Sequence, residues 1–236
     1  MHFDSQDGLA LDTVETMLAA SDDQIWLGTQ GAPSCWDPRR RQFVHHARPD
    51  GLSGAIVTAL ACGPDGRVWA GVCSTAVLYG WCGEGFDPAT PPGDRTVYGR
   101  LLVDRRGGVW GWAAHSAEAW MPAVLGRYDP ESRGWRRFGQ ADGYCGEKVE
   151  GILEDREGQV WVGTEQGLLR WDGQRFEALR EGDRVGRGCH SLAAGGSGGR
   201  LWVGTENRGL CCYDPNWSVY GTPDGLPADA VTGLAD

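Results

Sequence analysis

Gln159-Val160-Trp161-Val162-Gly163-Thr164 decides the fold, because the chain says it repeatedly. Ile25-Trp26-Leu27-Gly28-Thr29 and Leu201-Trp202-Val203-Gly204-Thr205 are the same phrase, and Val68-Trp69-Ala70-Gly71 and Val109-Trp110-Gly111 are worn copies. The five tryptophans lie 43, 41, 51 and 41 residues apart. A period in this range is the signature of a repeat architecture.

Working outward from Trp161 gives one whole repeat. Residues 149–152 read as a short apolar strand A, 155–158 as a turn, 159–164 as strand B and 168–171 as strand C. Asp172-Gly173 is a two-residue hairpin signal, after which strand D opens at Gln174. Strand A recurs at 14–17, 57–60, 98–101, 189–192 and 231–234. Its last residue stands nine positions before the tryptophan in the first four copies and ten in the fifth, so one turn type is reused. The third copy is about ten residues longer than its neighbours, with the excess between Trp112 and Gly126. Four short antiparallel strands cannot bury both faces alone, so the repeats must stack into an all-β molecule.

Composition agrees. Thirty-eight glycines suit tight turns, and twelve tryptophans supply large apolar surface to pack between layers. A net charge of −10 argues against nucleic acid and against direct contact with an anionic membrane. No apolar run approaches the roughly 20 residues that span a bilayer. Eight cysteines show no C-x-x-C spacing and read as small buried residues.

The motif running from Asp155 through Gly158, Trp161-Val162-Gly163-Thr164 and Gly167-Leu168 to Trp171-Asp172 and Phe176 resembles the two-component regulator propeller repeat. The fifth copy, from Gly199 through Trp202-Val203-Gly204-Thr205 to Tyr213-Asp214-Pro215, is similar, and Asp224-Gly225-Leu226-Pro227 resembles the link between blades. The resemblance implies a β-propeller of four-stranded antiparallel blades, commonly seven in number. Residues 1–236 are then one propeller domain with five full blades at about 13–47, 55–88, 97–139, 148–180 and 188–221. Residues 3–14 align without a gap on 220–231, so leftover strands are expected at 2–5 and 229–235, and the chain reads as a section of a larger ring.

In such blades the residues after each Gly-Thr share one rim. That rim carries Gln30, Ser74, His115, Glu165 and Glu206, with Trp112 and Trp120 from the long third-copy loop and Asp50, Asp142 and Asp224 nearby. Glu15, Arg100, Glu150 and His190 hold matching positions on strand A, nearest the axis, or one residue off. Polar residues that vary on a rigid ring of loops are where a ligand site is expected.

No H-x-x-x-H or H-E-x-x-H spacing, nucleophile elbow or phosphate loop appears, so no catalytic residue, metal or cofactor is assigned. The resemblance implies the extracytoplasmic sensor region of a membrane histidine kinase or hybrid regulator, dimeric in the full-length sensor. The kinase, receiver and DNA-binding parts of that family do not occur in these residues. The expected partner is a small molecule, carbohydrates included, or a protein. An interaction scaffold is the second reading and a propeller lyase or hydrolase the third. The chain is expected to be soluble, periplasmic as part of a membrane sensor. The N-terminus has no signal-peptide pattern, which would mean cytoplasmic if the chain is complete.

Overall fold

The computed structural model describes residues 5–20, 24–46, 52, 54–73, 77–89, 97–114, 124–144, 148–179, 188–195, 199–214 and 216–234. They contain five four-stranded antiparallel sheets, each in simple up-and-down order. The first is β1 (Val14–Ala19), β2 (Ile25–Thr29), β3 (Pro33–Asp37) and β4 (Gln42–His45). The second is β5 (Val57–Cys62), β6 (Val68–Val72), β7 (Val77–Trp81) and β8 (Phe86–Pro88). The third is β9 (Val97–Val103), β10 (Val109–Ala114), β11 (Val124–Asp129) and β12 (Gly134–Phe138). The fourth is β13 (Val149–Glu154), β14 (Val160–Thr164), β15 (Gly167–Trp171) and β16 (Phe176–Ala178). The fifth is β17 (Cys189–Gly195), β18 (Arg200–Thr205), β19 (Leu210–Asp214) and β20 (Asn216–Tyr220). These are β-propeller blades, and they fall into two compact units, Met1–Arg137 and Phe138–Asp236.

Within each unit the first strand of one blade packs beside the first strand of the next: β1 on β5, β5 on β9, and β13 on β17. The tryptophan of the phrase fills the space between neighbouring sheets. Trp26 meets Trp81 and Phe86 of the second blade, Trp69 meets Tyr128 of the third, and Trp161 meets Tyr213 of the fifth. Trp26, Trp69, Trp110 and Trp161 are all buried, whereas Trp202 is only partly so. The turn before strand B fixes the indole: Trp161 Nε1 donates to Asp155 Oδ2 at 2.7 Å, and Trp110 Nε1 to Asp104 Oδ2 at 2.9 Å. Burial alone would raise the Asp104 pKa, but bonds from Arg127, Trp110 and the Gly108 amide outweigh it and hold the carboxyl below its usual range.

The threonine closes the turn into strand C. Thr164 Oγ1 donates to the Gly167 carbonyl and accepts from the Gln166 amide, and Thr29 and Thr205 repeat the arrangement. Turn aspartates act the same way: Asp172 Oδ1 accepts from the Gln174 and Arg175 amides, both at 2.7 Å. The links ending in Asp142-Gly143-Tyr144 and Asp224-Gly225-Leu226 form 3-10 turns, in which Asp142 and Asp224 cap the amides of Gly139 and Gly221.

The glycine of the phrase does something the turn reading misses. A Cβ on Gly163 would sit 2.4 Å from Cys189 Sγ, and one on Gly28 would sit 2.8 Å from the Val57 carbonyl oxygen. Both contacts are to the opening residue of the next blade's first strand, so this glycine sets the distance between blades.

The expected leftover strands at 2–5 and 229–235 lie partly outside the described residues. Residues 2–4 lie outside the described residues, and Ser5 opens a 3-10 turn, Ser5–Asp7. Residues 229–234 carry no strand among the described residues. Val231 still donates its amide to the Thr205 carbonyl at 2.9 Å and fills the slot beside Gly204, as Val57 does beside Gly28.

Candidate functional site

The first strand of every blade carries a β-bulge. Val14 pairs with Thr29 and Thr16 with Gly28, so Glu15 is left between two successive ladder positions. Thr58, Gly99, Glu150 and His190 are skipped in the same way in the other four blades. An extra residue in one strand bends it and re-aims a side chain, which is why bulges gather near binding sites. The skipped residue stands eleven positions before the tryptophan in four copies and twelve in the fifth. That offset was available in the sequence, and it would have added Thr58 and replaced Arg100 by Gly99.

In the second unit the bulges of the adjacent strands β13 and β17 present Glu150 and His190 at one level. Glu150 is ion-paired to Lys148 at 2.7 Å, with its side chain 15% exposed. Lys148, which the sequence reading passed over, also accepts the Glu165 amide on its carbonyl at 3.4 Å. The rim residues are tied together through Gly188. Its amide donates to the Glu165 carbonyl at 3.0 Å, and its carbonyl accepts the Glu206 amide at 2.8 Å. Gly188 has φ +72° and would place a Cβ 2.7 Å from that of Glu206, so only glycine allows this approach. Glu165 and Glu206 are exposed, while Glu150 and His190 are half-buried. Behind them the Cys189 thiol is pushed up to about 12 by burial, then by Cys211 and Glu150, which makes it unreactive.

In the first unit Gln30 Nε2 donates to Glu15 Oε1 at 2.8 Å, joining a rim residue to a bulge residue. Arg100 is exposed, one position past its bulge. Trp112 is corrected: it lies within β10, only 6% exposed, and occupies the place of the phrase glycine. Its ring covers Gly99, approaching to 3.6 Å of where a Cβ would stand. Ser74, His115 and Trp120, with Asp50, lie outside the described residues.

This arrangement offers carboxylates, an ammonium and an imidazole at the blade ends. Such a set can bind a polar molecule by charge and hydrogen bonds.

The sheets and their order define the chain as a series of β-propeller blades. Residues 143–166, which contain the Trp161 phrase, match the model of the two component regulator propeller. No curated protein matches the chain in sequence. Among solved structures, the extracellular domain of a B. thetaiotaomicron protein described as a hybrid two component system is 16% identical, with a TM-score of 0.72. The match covers 94% of this chain and 30% of that one. The extracellular domain of a protein described as a one component system from the same organism is 16% identical, with a TM-score of 0.63 over 90% of this chain and 29% of that one. Virginiamycin B lyase from Staphylococcus aureus is 14% identical, with a TM-score of 0.64 over 86% of this chain and 68% of the enzyme. The chain thus spans under a third of the length of the first two. Among the described residues no helix is long and apolar enough to cross a membrane.

Proposed function

We propose that the chain is a ligand-sensing propeller module of an extracytoplasmic two-component signal-transduction protein, and that it binds without turning its ligand over. The observation that carries this is the bulge. Its backbone recurs in all five blades, while its side chain changes from Glu15 to Thr58, Gly99, Glu150 and His190. A fixed mount with exchangeable side chains is how specificity is written onto a scaffold. The ligand is a small polar molecule, with carbohydrates first among the classes to be tested, because carboxylate, ammonium and imidazole together both donate and accept hydrogen bonds.

The test is thermal shift and calorimetry of the chain against oligosaccharides and small hydroxy acids, with Glu150→Gln and His190→Ala as variants. Binding is expected to one class and to weaken about tenfold or more in either variant, without loss of fold. A flat response across the panel, with capture of a protein partner, would establish the scaffold reading instead. Conversion of any panel member would establish the enzyme reading.

A further inference from the structure

Three blade boundaries are built on the same aromatic triangle, made of the strand B tryptophan of one blade and two aromatics from strands C and D of the next. Trp26, Trp81 and Phe86 form the first, with ring centroids 5.2–5.7 Å apart. Trp69, Tyr128 and Trp135 form the second, at 5.6 and 5.4 Å. Trp161, Tyr213 and Trp217 form the third, at 5.9 and 5.0 Å.

The first two already hold a planar nitrogen group of this chain. The His46 imidazole lies 4.9 Å from Trp26, at 29° to it, and 4.3 Å from Trp81. The Arg67 guanidinium lies 4.6 Å from the centre of the Trp69 ring. The third triangle has lost both groups. Leu179 stands where His46 does, since both donate a backbone amide to the strand C carbonyl two places before the cross-strand pair, His46 to Pro33 and Leu179 to Leu168. Gln159 stands where Arg67 does, directly before strand B, and its side-chain amide is turned away onto the Trp171 carbonyl. Arg170, paired with Trp161 across the ladder, is ion-paired to Glu177 at 2.6 Å rather than stacked on the indole as Arg67 is on Trp69. Beside this triangle is a cavity of about 260 Å³ lined by Trp161, Tyr213, Trp217, Leu179 and the Arg170–Glu177 pair, with Trp161 itself buried.

We propose that this cavity is a second ligand site, and that it takes the guanidinium group of an arginine or a guanidino compound. The chain's own solution at the second triangle is a guanidinium over the tryptophan. A planar, weakly hydrated cation stacks on aromatic faces better than an ammonium does. The cavity adds a carboxylate, Glu177, whose present partner is weakly held: the Arg170 and Glu177 side chains are 44% and 41% exposed. Exposed pairs of this kind contribute little, so an entering guanidinium can share the carboxylate with Arg170. The site is independent of the bulge residues.

The test follows the tryptophan indole N–H signals of the whole chain by NMR, assigned with Trp161→Phe and Trp217→Phe. The probes are acetyl-arginine amide and its neutral isostere acetyl-citrulline amide. The arginine probe is expected to move the Trp217 and Trp161 signals saturably, and the citrulline probe to leave them still. Glu177→Gln should weaken the arginine probe about tenfold, the size of one charge-assisted contact. Arg170→Ala should tighten it, because a competing cation is removed and Glu177 is freed. An arginine-bearing tripeptide binding more tightly than the amide points to a protein partner, and equal binding points to a free guanidino compound. Equal responses to arginine and citrulline, signals that do not move, or loss of binding in Arg170→Ala would overturn the proposal.

Discussion

Gly163→Ala tests whether the glycine of the repeated phrase sets the spacing between blades. The added Cβ would stand 2.4 Å from Cys189 Sγ, 3.3 Å from Cys189 Cβ and 3.5 Å from Leu192 Cγ. Only the last is an ordinary contact, since apolar atoms pack best at about 3.5–4.0 Å. The sulfur must therefore retreat by more than about 1 Å. It has little room, because Cys189, Leu201, Val203 and Cys211 are all buried in one cluster with Trp161. Overpacking a rigid core costs about 1–3 kcal/mol. Alanine would return about 0.4–1 kcal/mol by restricting the unfolded chain. The clash wins, and a net loss of about 1–2 kcal/mol is expected. Urea unfolding of the chain would read this as a lower midpoint at unchanged slope. Gly195→Ala is the control, since nothing lies within 4 Å of its Cβ and its φ is not positive; it should be neutral or slightly stabilising. Cys189→Ala removes the clashing sulfur, so the double variant should be more stable than the sum of the two single losses. A neutral Gly163→Ala, or strict additivity with Cys189→Ala, would refute the spacing argument.

Trp161→Ala should cost about 3–5 kcal/mol by emptying the space between the fourth and fifth blades, and Trp161→Phe only about 1–2 kcal/mol for the lost bond to Asp155, both by the same denaturation assay. His46 has its pKa lowered to about 4, first by burial and then by the neighbouring His45 charge. The unfolded chain therefore binds the His46 proton first, so this part of the stability is present above pH 6.5 and is lost as pH falls towards 4. His46→Phe keeps the aromatic packing against Trp26 and Trp81 and should flatten the stability–pH curve in that window, as followed by thermal unfolding.

The architecture was legible in the sequence because it is said five times. Each copy of the Trp161 phrase carries the same burden, so the period, the strand order and the turn chemistry of Thr164, Asp155 and Asp172 could be read from one copy and checked on the others. The role of Gly163 was not legible in the sequence, because its neighbour, Cys189, belongs to the next repeat and does not show within a single copy. The bulge was hidden for a different reason. A skipped residue such as Glu150 leaves the strand A pattern intact: its offset from the tryptophan marks a shared position, but its place outside the ladder shows only once the register against strand B is known. The capping work of Asp142 and Asp224 looked like rim chemistry for the same cause, since an acidic side chain serves equally as a cap or as a ligand group until its hydrogen bonds are drawn.

The third blade shows that bulge and glycine act as a pair. In the first, second, fourth and fifth blades the bulge carries a side chain, Glu15, Thr58, Glu150 or His190, and strand B has glycine two places after its tryptophan. In the third the assignment is reversed: the bulge is Gly99 and strand B carries Trp112, whose ring lies over it. Volume is exchanged across one ladder step while the backbone stays the same. The step has therefore been rebuilt on the same backbone, and the two positions behave as one unit. Exchange of this kind is what a repeat protein needs in order to vary its site. The ladder between the first two strands holds the register, and the residue left outside it is free to differ from blade to blade.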